Sequence, residues 1–207
     1  MIAKGESMQT NEQTEKYNKI VEASLMLFSK YGYKKTAVDE IVLEANISKG
    51  LFYHYFKNKK ELYLHLYKDL SISLTKKIYE VSNSDNTPKD LFNQIRTMVY
   101  VQITLMKESP YMYEFFYSVR NEQDKGICQS LQEIDEDLKQ KGYENIMDAI
   151  DYSVFKDNVN IAKAVDIIFW TVEGYSKRIT NEKREINQKI FDELDTYLDL
   201  LKEQFYK

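Results

Sequence analysis

Two histidines, one cysteine and thirty-three carboxylates are the side chains from which this 207-residue chain would build a catalytic or metal centre. His54 and His65 stand close together in the sequence, but neither belongs to a cluster with metal-ligand spacing. Cys128 has no second thiol, so an intrachain disulfide and a thiolate cluster are both excluded. It also lacks an evident base partner, and no glycine loop has the spacing that cradles phosphate. The expectation is a protein with no catalytic site, no metal and no cofactor. An all-helical enzyme stays as one rival reading.

A different kind of chemistry is concentrated between Ser48 and Lys60. On a helix from Lys49 to about Phe56, a step of about 100° per residue puts Leu51, Phe52, Tyr55 and Phe56 on one side. Gly50, Tyr53, His54 and Lys57 fall on the other. That outer side offers a phenol, an imidazole and a lysine, has no acid, and includes a glycine that permits close approach. Such a face suits phosphates and base edges. The competing reading has Tyr53 and His54 merely capping the core of a small bundle.

Three elements must hold this face. Apolar residues at Tyr17, Ile20, Val21, Leu27, Phe28 and Tyr31 predict an amphipathic helix over 14–31, ended by Gly32. Thr36 reads as the N-cap of a second helix, with Asp39 as its box partner and Val38, Ile41, Val42 and Ala45 as its buried stripe. Asn46 ends that helix in a left-handed conformation, and Ser48 caps the third. The turn of about three residues is the connection length of a helix-turn-helix. Ile47 and Phe52 occupy the positions of a hydrophobic staple. Asn58 then caps a long helix with Glu61 as its box partner; Lys59 and Lys60 in its first turn oppose the macrodipole, a placement that an anion would offset.

The stretch Ile20 to Leu62 resembles the TetR family of transcriptional regulators, most specifically through Ser48-Lys49-Gly50-Leu51-Phe52-Tyr53-His54-Tyr55-Phe56 followed by Lys59 and Leu62. The resemblance implies a dimer that binds a palindromic double-stranded DNA operator as a repressor and is released by a small effector. It implies phosphate contacts from Thr36, Ser48, Tyr53, His54 and Lys59, and base-edge contacts from Lys49, Gly50 and Leu51. Lys35, Lys57 and Lys60 would add to the phosphate-facing field.

Composition is compatible with this. Only 2 prolines and 6 glycines punctuate the chain, so the expected fold is all-α: a three-helix helix-turn-helix domain, then a larger helical domain for ligand binding and dimerisation. The expected parts are a flexible arm over 1–13, a DNA-binding domain over 14–58 and a body over 59–207. The net charge of −4 hides a polarity: residues 1–68 carry eleven lysines against eight acids, whereas the rest is strongly acidic. Sampling in a lysine-rich chain would explain that split equally well. No apolar run is long enough to cross a membrane, and the polar start lacks a secretory signal, so a cytoplasmic protein with no membrane partner is expected.

Helical periodicity continues near 59–81, 88–107, 110–121, 125–141, 143–152, 158–180 and 184–206. Thr87-Pro88 and Ser109-Pro110 read as starts, and Gly142 as a stop. Seventeen tyrosines supply many rings with one polar end, suited to a mostly apolar pocket for a lipophilic or aromatic effector. Tyr111, Tyr113, Phe116, Tyr117, Trp170 and Tyr175 are the candidate ligand contacts, with core packing as their competing role. Arg120 would meet an anionic ligand and Glu108, Glu114 or Glu173 a cationic one; the sequence does not choose. Apolar stripes on the last two helices, among them Ile168, Phe169, Leu194 and Leu198, would pair with their copies in a homodimer. The remaining rival is a helical interaction module whose basic head binds an acidic protein or a membrane without reading DNA sequence.

Overall fold

The computed structural model describes residues 3–82, 90–182, 184 and 187–207. Its helices run α1 (Ala3–Lys35), α2 (Val38–Glu44), α3 (Lys49–Tyr55), α4 (Lys59–Ser82), α5 (Leu91–Glu108), α6 (Pro110–Arg120), α7 (Lys125–Ala149), α8 (Ile161–Asn181) and α9 (Gln188–Phe205). A 3-10 turn at Tyr152–Val154 precedes α8. The fold is all-α, as the scarcity of breakers predicts; its one β-type feature among the described residues is an isolated bridge between Phe155 and Tyr206.

Two compact units result: Met1–Lys77 with Thr104–Gly142, and Ile78–Ile103 with Tyr143–Lys207. These packing units are not the functional parts expected from sequence, because they join α6 and most of α7 to the N-terminal helices.

In the first unit α1 and α6 lie side by side, and Phe28, Tyr63 and Phe115 are fully buried between the helices. Their rings meet edge to face, with centroids 4.9 Å apart for Phe28–Tyr63 and 5.3 Å for Tyr63–Phe115. Such pairs add about 0.5–1.5 kcal/mol each beyond the apolar area they bury. Ile41 and Phe52 join the same core from α2 and α3, so the short helices are held by packing rather than by their own length.

In the second unit α8 and α9 pack through Val165, Ile168, Leu194 and Leu198 against Phe92 and Ile95 of α5. Arg96 donates from Nε to Asp195 at 2.9 Å and also bonds Asp199. Lys202 reaches Asp90 at 2.8 Å. Tyr175 is buried and its hydroxyl donates to the Ile190 carbonyl at 2.9 Å.

Several expected boundaries are corrected. Gly142 does not stop a helix: α7 passes through it to Ala149 and absorbs the separate helix expected over 143–152. A helical glycine costs only about 1 kcal/mol relative to alanine, which packing elsewhere on a long helix overrides. The last helix starts at Gln188 rather than 184, because Asn187 is its cap and accepts from the Lys189 amide at 3.1 Å. Helix α1 begins at Ala3, within the segment expected as an arm. Pro110 does begin α6. The start expected at Thr87-Pro88 lies outside the described residues.

Candidate nucleic-acid interface

The helix-turn-helix begins at a corner. Gly32 has φ 72°, the left-handed value that breaks α1 before its last turn. Thr36 is only 1% exposed, and its hydroxyl donates to the carbonyls of Gly32 at 2.9 Å and Leu27 at 3.3 Å. It is therefore not the N-cap of α2. That position belongs to Ala37, whose amide donates to Glu40 at 2.9 Å, so Glu40 takes the role expected of Asp39. A buried threonine next to open helix carbonyls satisfies its hydroxyl inward instead of toward solvent.

Beyond α2 the turn follows the sequence expectation. Asn46 adopts φ 51°, Ile47 donates its amide to Val42 at 3.0 Å, and Ser48 Oγ accepts from the Leu51 amide at 3.2 Å. Phe52 and Phe56 are buried, while Lys49, Gly50, Tyr53 and His54 are exposed and Leu51 is half-buried. The two faces of α3 thus divide as the spacing predicts, and Tyr53, at 48% exposure, points out. A β-carbon built on Gly50 meets nothing within 4 Å. Nothing inside the protein requires a glycine there.

From behind, Tyr17 of α1 packs its ring against Tyr55 and Phe56, and its hydroxyl bonds His65 Nε2, which also lies 3.1 Å from Asp69. Tyr55 donates to the Gln13 carbonyl at 3.0 Å. At the start of α4, Asn58 Oδ1 accepts from the Glu61 amide and the Glu61 carboxylate accepts from the Lys57 amide, each at 2.9 Å.

Three lysines make contacts that the sequence does not signal. Lys49 bonds Asp39 at 2.6 Å, so an acid from α2 stands beside the donor face of α3. The Asp39 carboxylate raises the Lys49 ammonium above the ordinary lysine value, chiefly by hydrogen bonding. The ammonium of Lys59 donates to the carbonyls of Tyr33 at 2.8 Å and Thr36 at 2.7 Å and lies 4.4 Å from the centroid of the Tyr33 ring. Burial pushes its titration down. Lys60 donates to the Gly126 carbonyl at 2.9 Å. Lysines at a helix start look alike in sequence, whether they meet an external anion or a neighbouring carbonyl.

The candidate ligand contacts are shared between the two units. Tyr111, Tyr113, Phe116 and Tyr117 lie on α6 in the first unit, whereas Trp170 and Tyr175 lie on α8 in the second. Phe116 meets Tyr67 at 5.9 Å, Tyr111 and Tyr117 are exposed, and Trp170 is 67% exposed. Among the described residues no His, Cys, Asp or Glu cluster could hold a metal, and no helix is long and apolar enough to cross a membrane.

Residues 20–66 match the family model described as bacterial regulatory proteins, tetR family. The HTH-type transcriptional regulator YuxN of Bacillus subtilis (strain 168) is 33% identical over 94 residues, which are 45% of this chain and 32% of that protein. The chain thus spans about a third of that relative's length. The fatty acid metabolism regulator protein of the same organism is 23% identical over 167 residues, 78% of this chain and 82% of its own. Among solved structures, FadR from Bacillus subtilis in complex with stearoyl-CoA shares the fold, with a TM-score of 0.67 and 20% identity over 89% of this chain and 97% of FadR. The capped turn and the two-faced α3 both lie within residues 20–66, and it is this segment that matches the tetR family of bacterial regulatory proteins.

Proposed function

We propose that this chain is a ligand-responsive repressor that binds a palindromic operator as a homodimer and is released by a small lipophilic effector. The observation that carries the DNA contact is the outer face of α3. There Lys49, Tyr53 and His54 surround a glycine whose missing side chain serves no internal packing. Glycine inside a helix costs stability, so its presence is explained by something outside that must come close. Ser48, Lys49, Gly50, Leu51, Tyr53 and His54 form the proposed contact surface. Thr36 and Lys59, also expected at the DNA, have their polar atoms engaged within the corner.

Dimerisation is supported by α8 and α9, which leave Ile167, Trp170 and Leu200 exposed at 39%, 67% and 56%. Large apolar side chains grouped on terminal helices are what a second copy would cover. Two heads on such a dimer would meet successive major grooves about 34 Å apart. Ligand binding would act by displacing α4, and thereby the heads. An effector that binds the released state a hundredfold more tightly supplies about 2.7 kcal/mol of coupling.

The effector class proposed is a long-chain acyl compound. The relative named for fatty acid metabolism and the neighbour solved with stearoyl-CoA support it, as does the wealth of tyrosine. The test is selection of duplexes from a random pool by the full chain, followed by titration of the selected duplex with long-chain acyl-CoA. A recovered inverted repeat that acyl-CoA releases is expected. No preferred site would overturn the DNA reading; a preferred site indifferent to acyl compounds would overturn the effector class alone.

A further inference from the structure

We infer that Lys59 is a positioning residue, which ties the first turn of α4 to the corner between α1 and α2 and so sets the angle of the helix-turn-helix, rather than a ligand of the DNA phosphate. The inference rests on the DNA-binding reading above. The last carbonyls of any helix, here those of Gly32 and Tyr33 among them, have no partner within the helix, and a carbonyl kept from water without a donor is costly. Two side chains close that gap. Thr36 Oγ1 takes the carbonyls of Gly32 and Leu27, and the Lys59 ammonium takes those of Tyr33 and Thr36 with the Tyr33 ring against it.

A cation among carbonyls at a helix C-terminus is also where the macrodipole favours positive charge. The same ammonium at the N-terminus of its own helix is disfavoured, so the corner explains a placement that α4 alone does not. Thr36 is followed at once by Ala37, the cap that starts α2. A change in the direction of α4 is therefore handed, through one side chain, to the first residue of the helix-turn-helix. With carbonyls at 2.7 and 2.8 Å and the Tyr33 ring centroid 4.4 Å away, the ammonium keeps one of its three N–H groups at most for an outside acceptor. Lys49 contrasts with it, because its ammonium lies on the exposed side of α3 with only an exposed carboxylate to give up.

Salt dependence separates the two roles, because each phosphate neutralised contributes about −0.9 to the slope of log K against log salt. Operator affinity of the full chain would be measured across a salt series for wild type, Lys59→Met, Lys59→Arg and Thr36→Val, with Lys57→Met, an exposed lysine of the phosphate-facing field, as the comparison. For Lys59→Met we expect a loss of roughly fivefold or more with the wild-type slope kept. Lys59→Arg, which can donate to both carbonyls, should recover most of the loss, and Thr36→Val should resemble Lys59→Met. Lys57→Met should make the slope shallower by about one. A shallower slope for Lys59→Met, or an affinity equal to wild type, would overturn the inference. If Lys59→Met does not fold, Thr36→Val decides by the same two readings. A wild type that selects no duplex removes the DNA reading and this inference together, whereas a selective wild type with the wrong Lys59 slope removes only the inference.

Discussion

The two units solve opposite problems. In the first, an aromatic core of Phe28, Phe52, Tyr63 and Phe115 holds a seven-residue helix so that its polar side stays in solvent. In the second, a core with fewer aromatic and more aliphatic residues joins α8 to α9 yet leaves Trp170, Ile167 and Leu200 outside. A rigid platform that displays donors suits a polyanion, and a helix pair with uncovered apolar side chains suits another protein surface. The difference lies in what each unit leaves uncovered, not in how well each is packed.

Substitutions can break that contrast in order of size. Phe52→Ala should have the largest effect, about 3–5 kcal/mol of lost stability in denaturant melts, with DNA binding lost alongside it. An equal effect on the helical signal with DNA binding retained would show that α3 is not the platform. Next, Trp170→Glu should convert a dimer to a monomer of 24.6 kDa, read by light scattering, while leaving the circular dichroism spectrum unchanged. Should the variant stay dimeric, the exposed side of α8 is not the contact.

Tyr53→Ala should weaken operator binding roughly tenfold and leave the melting temperature within about 2 °C, since the ring is half exposed. Gly50→Ala should sharpen the point by moving the two properties apart. It should stabilise the fold by about 0.5–1 kcal/mol, because the new methyl meets open space, and yet weaken DNA binding. A variant that is both stabler and fully active would show that nothing approaches that glycine.

The smallest effect belongs to the second unit. Glu193 is held below the ordinary glutamate value first by its hydrogen bond with Arg184, then by Tyr175 and Arg178. A lowered folded value means its contribution is present above the ordinary value of 4.5 and is lost as pH falls through the folded one. Glu193→Gln should therefore flatten that part of the acid arm of a stability-against-pH curve and change nothing near neutrality beyond the mutation's own constant offset. An unaltered acid arm would show that the cluster at Glu193 adds no pH dependence.

Much of the first unit was legible because its signals are local. The left-handed residues Gly32 and Asn46, the cap at Ser48 and the two faces of α3 depend on residues within a turn or two, where backbone sterics and a 3.6-residue period act directly. Gly142 misled for the complementary reason: a glycine permits a stop but does not impose one on a helix held by its partners. The aromatic residues of α6 and α8 read alike in sequence, yet Phe115 is core, Tyr117 is exposed and Tyr175 spends its hydroxyl on a carbonyl. A ring carries no label for which of these it will be.

By itself, then, the sequence determined the all-helical class, the capped turn and the donor-bearing side of α3, since each follows from short-range geometry and amphipathic spacing. Only the tertiary structure decided where long side chains ended. It sent Thr36 and Lys59 into the corner behind α2, paired Lys49 with Asp39, and divided the candidate ligand contacts between two units. Those outcomes turn on which carbonyl, carboxylate or ring comes within about 3–5 Å of a flexible side chain, and that proximity is set by packing between residues distant in the chain.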